Sequence, residues 1–404
     1  MIPRLRAWGA AHAEPLGIWL ALRLGLTLLA LLAGLYIPSV LPKGTAPYHP
    51  AALPALWDRL LGVWSRWDGQ WYLQIATAGY HPGDGSTAFL PLYPWAVGAL
   101  GVLLGGRYLW AGVLLSAAIF AGVLILLYRL VREQYAPDLA PRTVLYLAIF
   151  PTAFFFWAIY SEGLFLLLAL GMFYAAGRRR WLLAGACVAA ALWTRAFGVL
   201  LIPCLLVEML DRRSDSPPGH GAERREQLAA LVLPLAAGGA LLAWSAVALG
   251  DPLAFVRTQA EWNRAFSWPW ITVVNAFKVA GAMPFEFQVE NQSWFYLATL
   301  LLFGALAAAG WWRRPGPAGG PARPPLLRPA QALYLTLGLL FPLLSATPQN
   351  PLLSLPRFVL ILFPAFILLA RAGRRPWVHY LILTLSFLLL GLYTIRFANW
   401  YWVA

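Results

Sequence analysis

Residues Arg66–Tyr80, RWDGQWYLQIATAGY, set an aspartate among tryptophans and tyrosines in a chain that elsewhere avoids charge. Outward from this stretch in both directions, runs of about 20 apolar residues recur, each long enough to cross a bilayer as a helix. The 404 residues are 61% hydrophobic and only 11% charged, with a mean hydropathy of +0.66, whereas a soluble domain carries about 25% charged residues. The expected fold class is therefore an all-α polytopic membrane protein, one integral membrane domain over residues 1–404. The net charge of +14 does not point to nucleic acid. Its basic residues fall in short clusters between apolar runs, as membrane topology signals do.

Apolar windows and their breakers give about 11 transmembrane helices: 16–37, 108–130, 142–160, 161–177, 181–196, 197–210, 227–250, 293–312, 330–347, 356–371 and 377–395. The first run is too long for a signal-peptide core and reads as a retained anchor. With these spans the clusters Arg4/Arg6, Arg129/Arg132/Arg142, Arg178–Arg180, Arg212/Arg213/Arg224/Arg225, Arg313/Arg314/Arg323/Arg328 and Arg371/Arg374/Arg375 all fall on one side. That side holds 19 of the 30 Lys and Arg, so the positive-inside rule makes it the cytoplasm, with the N-terminus inside. Phe89 to Gly106 is apolar, but Pro91, Pro94 and its glycines favour an interfacial helix on the outer face over a span. Two outer loops are long, 38–107 and 251–292, and long loops in a compact membrane protein carry function. The cytoplasmic stretches DRRSDSPPGHGAERRE and RRPGPAGGPARPPLLR read as flexible linkers.

Four elements carry candidate chemistry. If residues 64–80 form one helix, Trp64, Asp68, Trp71, Tyr72 and Ile75 share a face. A carboxylate so surrounded loses solvation and becomes a stronger proton acceptor, and rings with polar tips stack on sugars. An interfacial aromatic belt with one solvated aspartate is the other reading of this pattern. The second element is FPTAFFFWAIYSEGLF, Phe150 to Phe165, where Glu162 stands at the outer boundary between two spans. A carboxylate there is expensive unless paired, and Arg195 in LWTRAFG is the expected partner. Such a pair serves structure or lines a polar cavity. Third, Arg357 and Arg396 lie near outer helix ends against the topology bias. Arginine binds phosphate in two-pronged fashion, while snorkelling to headgroups is the bland alternative. Arg23, early in the first span, snorkels or pairs within the bundle. Fourth, GDPLAFVRTQAEWNRAFSWPW, Gly250 to Trp270, opens with a turn and continues as an amphipathic stretch with Arg257, Glu261 and Arg264 along one side. Cys187 and Cys204 lie in apolar stretches and read as core residues rather than a disulfide. The histidines His12, His49, His81, His220 and His379 are scattered, and no HExxH, CxxC or DxD pattern occurs. Neither a metal nor a cofactor is expected.

Together, RWDGQWYLQIATAGY, AFLPLYP, FPTAFFFWAIYSEGLFLLL, TRAFGVLLIPCLLVE, GDPLAFVRTQAEW and SLPRFVLILFPAFILLA resemble, in that order, the PIG-V family of mannosyltransferases acting on glycosylphosphatidylinositol. The resemblance runs from about residue 60 to the C-terminus. It implies a GT-C glycosyltransferase fold with its active site on the outer face of the cell membrane. It also implies inverting transfer of mannose from a polyprenyl-phosphate donor, with an acidic residue of the first outer loop as catalytic base, here Asp68. The Ala, Leu, Arg and Gly content matches the bacterial members, which do not make the eukaryotic glycolipid, so the acceptor does not carry over. The histidine that eukaryotic members have near Gln70–Trp71 is also missing.

On this reading Asp68 takes the proton of an acceptor hydroxyl on a lipid or protein, with Glu162 as second choice or as support for the arginines. Arg357, Arg396 and Arg195 hold the donor phosphate, and Trp64, Trp67, Trp71, Tyr72 and Tyr80 orient the sugar. A lipid-linked sugar flippase would instead concentrate ionisable groups near the bilayer midplane, often within inverted repeats, and this chain shows neither. A non-catalytic assembly subunit is the third alternative, opposed by the presence of Asp68.

Overall fold

The computed structural model describes residues 2–40, 55–213, 221–284, 292–312 and 325–403. Much of both Pro/Gly/Arg-rich linkers, part of each long outer loop, and Glu286 and Glu290 lie outside the described residues. Among the described residues five helices are long and apolar enough to cross a membrane: Ala13–Tyr36, Tyr108–Gln134, Gly221–Leu249, Ser293–Trp311 and Pro376–Ala398. A sixth candidate is the pair Leu355–Ile361 and Phe363–Ala372, bent by 85°. Only 17% of the most apolar window of Ala13–Tyr36 is buried against protein, so its leucines suit lipid rather than water. The chain is a polytopic helical membrane protein.

Several sequence-defined spans are broken rather than continuous. The stretch 142–160 is helical only through Ala148, then passes through turns and the 3-10 segment Ala153–Phe156. Pro151 explains the stop, since it lacks an amide donor and disfavours helix in the residue before it. Pro364 acts in the same way at the 85° bend. Leu92–Leu103, inside the stretch read as interfacial, has 12 residues. At 1.5 Å per residue it extends about 18 Å, well short of the roughly 30 Å hydrocarbon core.

The chain forms two compact units. The first comprises Met1–Tyr80, Pro91–Leu170 and Ala370–Val403. Its core is aromatic: Phe120 stacks on Phe156 at 4.8 Å, and Trp157 meets both Phe120 (5.0 Å) and Trp19 (5.5 Å). Arg23 stays within this bundle, its guanidinium 5.2 Å from the Trp64 ring and 5.4 Å from that of Trp157. Ring faces attract a cation most strongly where water is excluded. At a connection outside the spans, Arg374 grips Asp138 with two bonds of 2.9 and 3.0 Å. Those hydrogen bonds hold the Asp138 carboxyl below its usual range.

The second unit comprises His81–Leu90 and Gly171–Leu369. Helices Trp181–Leu192 and Gly221–Leu249 approach so closely at Gly185 that a Cβ there would lie 2.4 Å from the Ala230 carbonyl oxygen. Trp193 Nε1 donates to the Ala237 carbonyl across the same pair at 2.9 Å. Buried Glu208 is 3.6 Å from Arg328, which also pairs with Asp211 at 3.1 Å. Cys187 and Cys204 are free thiols, and Cys204 donates to the Leu200 carbonyl. A two-residue antiparallel pairing, Ala265 with Ala346 and Phe266 with Ser345, joins two distant segments.

Candidate active site

Residues 64–80 do not form one helix. A 3-10 turn, Gly62–Ser65, ends at Arg66, and a new helix runs from Asp68 to Ala78. Between them Trp67 adopts φ 55° and ψ −121°, and the Gly69 amide donates to the Arg66 carbonyl at 3.1 Å. These are the features of a type II′ turn over Arg66–Gly69, with Trp67 at the position that normally takes glycine. A side chain held there costs about 1–3 kcal/mol. Asp68 follows immediately and opens the helix, half-buried. The face expected to join Trp64 to Asp68 and Tyr72 is therefore broken by the turn.

The Phe150–Phe165 segment secures this turn. Tyr160 Oη accepts the Asp68 amide at 3.1 Å and donates to the Arg66 carbonyl at 3.1 Å. On either side, the Ile159 amide donates to the Trp64 carbonyl (2.8 Å), and Tyr72 Oη bonds Ser161 Oγ (2.7 Å). Glu162 is the next residue, wholly buried at the head of the helix Glu162–Gly177. The two acidic motifs, far apart in sequence, are thus one local structure in the first unit. Tyr160 was not singled out from sequence, although it stands in the same Tyr-Ser-Glu run.

The aromatic set divides by exposure. Trp64 is wholly buried and Tyr72 is 5% exposed, so both rings are packed among neighbouring side chains. Trp67, Trp71 and Tyr80 are half-exposed. The Trp67 ring meets the edges of Trp400 (5.7 Å) and Trp402 (5.1 Å), and Arg66 lies 4.6 Å over Trp400. These contacts bring the C-terminal NWYW segment against the strained turn and help hold it. Arg396 belongs to the same corner: its guanidinium donates to the Trp402 carbonyl at 3.3 Å and sits 5.5 Å from the Tyr401 ring.

Arg195 and Arg357 belong to the second unit. Arg195 has extended backbone where the helix Trp181–Leu192 gives way to the 3-10 segment Ala196–Leu200. Arg357 lies in the four-residue helix Leu355–Phe358, entered through Ser354 at φ 68°. Arg264, expected to continue the amphipathic stretch, has left it. The helix Ala254–Glu261 stops at Asn263, whose φ is 54°. The Arg264 amide bonds the Gln259 carbonyl and the Asn263 amide bonds that of Ala260, the paired bonds of a Schellman stop. Among the described residues no group of three or more His, Cys, Asp or Glu side chains converges as metal ligands would.

In chemical terms, the first unit offers a carboxylate on a backbone fixed from both sides, beside half-exposed rings. The second offers guanidinium groups held at helix breaks. The family whose model matches the chain is described as mannosyltransferase (PIG-V), over residues 26–214. That stretch contains Asp68, Tyr160, Glu162 and Arg195 and supports a mannosyltransferase role. No curated protein and no solved structure matches the chain.

Proposed function

We propose that this chain, whose residues 26–214 match the family model described as mannosyltransferase (PIG-V), transfers mannose or a related hexose from a polyprenyl-phosphate donor to an acceptor hydroxyl on a lipid or protein. Asp68 is the general base. It takes the acceptor proton as the oxygen attacks the anomeric carbon, and the carbon–phosphate oxygen bond breaks with inversion. General bases contribute about 10²–10⁴-fold to rate. Arg195 and Arg357 receive the donor phosphate, while Trp67, Trp71 and Tyr80 supply the faces that orient the sugar. Arg396, at the C-terminal corner beside Trp67, is a further candidate for that phosphate, and Glu162 is the reserve base. The charge on the leaving phosphate is compensated by arginine, without a metal. We place the reaction on the outer face of a GT-C-type bundle of about 11 spans, broken ones included, with the N-terminus in the cytoplasm.

The observation that carries this reading is the Asp68 turn. A tryptophan is held in a glycine-favouring conformation immediately before a carboxylate, inside the family-matched stretch, and such strain clusters at functional sites. The test is transfer of labelled mannose from polyprenyl-phosphate-mannose to a host lipid extract by purified protein, wild type against Asp68→Asn. Transfer by wild type alone supports the reading. Equal transfer by both removes Asp68 as the base and leaves Glu162 to be tested. No transfer by either removes this donor.

A further inference from the structure

Two tryptophans at positive φ, far apart in sequence, meet inside the first unit. Trp67 has φ 55° and Trp400 φ 66°, a region where a bulky side chain is a genuine outlier. The helix Pro376–Ala398 stops through Trp400. The Trp400 amide donates to the Phe397 carbonyl (3.2 Å) and the Tyr401 amide to that of Arg396 (2.9 Å). These are the paired bonds of a Schellman stop, with tryptophan where glycine is usual. Glycine would adopt either backbone conformation without strain, so neither tryptophan is explained by its own turn. Their contact explains both. The Trp67 ring meets Trp400 at 5.7 Å and Trp402 at 5.1 Å, each edge-on, and the Arg66 guanidinium lies 4.6 Å from the centre of the Trp400 ring. The residue after Trp67 is Asp68.

The segment that carries Trp400 is itself anchored. The Val40 amide donates to the Asn399 carbonyl (3.0 Å), Tyr401 Oη to the Pro38 carbonyl (3.5 Å) and Arg396 to the Trp402 carbonyl (3.3 Å). Phe397, at the helix end, packs on the rings of Phe154 (5.0 Å) and Tyr160 (6.2 Å). Trp400 is buried. Its fixed ring braces the side chains of Arg66 and Trp67, while Tyr160 bonds the backbone on either side of Trp67. Without such a brace a strained turn relaxes toward an allowed conformation, and that would rotate the peptide joining Trp67 to Asp68. We propose that Trp400 is a positioning residue, fixing the Asp68 backbone through Arg66 and Trp67. The role of Asp68 as base comes from the transferase reading above, on which this inference rests and which it deepens. An edge-on aromatic pair and a cation over a ring together suffice to bias a two-state turn about tenfold.

The test uses the full chain in phosphatidylcholine nanodiscs with two readouts. One is hydrogen exchange of the Asp68 amide, followed by mass spectrometry, which reports opening of the bond to Tyr160. The other is transfer of labelled mannose. Trp400→Leu should lower protection of that amide about tenfold and kcat about tenfold or more, with KM changed less than about threefold. Trp400→Phe, which keeps an aromatic edge, should recover most of both. Trp67→Gly supplies the control, because glycine adopts the turn unaided. In that background Trp400→Leu should cost less than about threefold in either readout relative to its own parent, the non-additivity of residues that act through one another. Equal losses in both backgrounds, no loss, or lost protection with kcat unchanged overturns the proposal, for Trp400 would then serve stability alone. If Trp400→Leu does not fold, Trp402→Leu, at a half-exposed position, carries the same comparison. Its loss of about threefold should vanish in the Trp67→Gly background, and no loss in either background overturns the proposal. If protection follows this pattern but wild type transfers no mannose, the transferase reading falls and the positioning of Asp68 stands.

Discussion

Tyr160→Phe removes one oxygen and tests whether the Asp68 turn is a catalytic device. That oxygen accepts the Asp68 amide and donates to the Arg66 carbonyl, both at 3.1 Å. Each bond contributes about 1 kcal/mol, and an amide left unsatisfied in a half-buried setting costs about 1–3 kcal/mol. The bonds also oppose the strain at Trp67, itself worth about 1–3 kcal/mol. The loss is of the same size as the strain, so the turn should relax and move the Asp68 backbone. Displacing a catalytic group by about 1 Å costs on the order of 100-fold in rate, which is about 2.7 kcal/mol of barrier. Expected is a 30- to 100-fold fall in kcat with KM changed less than about threefold, since the phenyl ring and the arginines remain. The pH–rate profile should keep its shape, because the base is unchanged. The assay is single-turnover transfer of labelled mannose, read beside the thermal midpoint. A variant with a lowered midpoint but wild-type kcat would refute the reasoning, for Tyr160 would then stabilise the fold without positioning Asp68.

Gly185→Ala should destabilise by about 1–3 kcal/mol through overpacking, because its Cβ meets the Ala230 backbone rather than a movable side chain. Gly238→Ala, with nothing within 4 Å, should be neutral or stabilise by up to about 1 kcal/mol through helix propensity; thermal midpoints of the two decide, and equal effects would contradict the close helix approach. The Asp138 carboxyl is held low by Arg374, so its contribution is fully present above the ordinary value near 3.8 and fades as pH falls through the depressed folded-state value. Asp138→Asn should therefore flatten the acid limb of the midpoint–pH curve, and an unchanged limb would dismiss the pair. A chelator should leave transfer unchanged, whereas loss of activity restored by a divalent cation would end the metal-free account of the leaving phosphate.

Composition and apolar run length alone determine that this is a helical membrane protein, because lipid tolerates few other ways to satisfy a backbone. Ordered motifs determine the family pattern, and Asp68 and Glu162 were legible as isolated carboxylates in apolar surroundings. Continuity of the helices was not legible. Windowed hydropathy does not register that Pro151 and Pro364 divide apolar runs, or that Asn263 and Trp67 adopt left-handed backbone. Those four positions decide what the chain brings together. The break at Trp67 turns Trp64 inward and leaves Asp68 at a helix start beneath Tyr160, 92 residues away. The stop at Asn263 sends Arg264 to the Phe358 ring instead of along a surface helix. Sequence fixes which residues carry charge and how far apart they lie along the chain. Only the tertiary structure decides which of them meet, because a strained turn persists only when contacts from distant segments hold it.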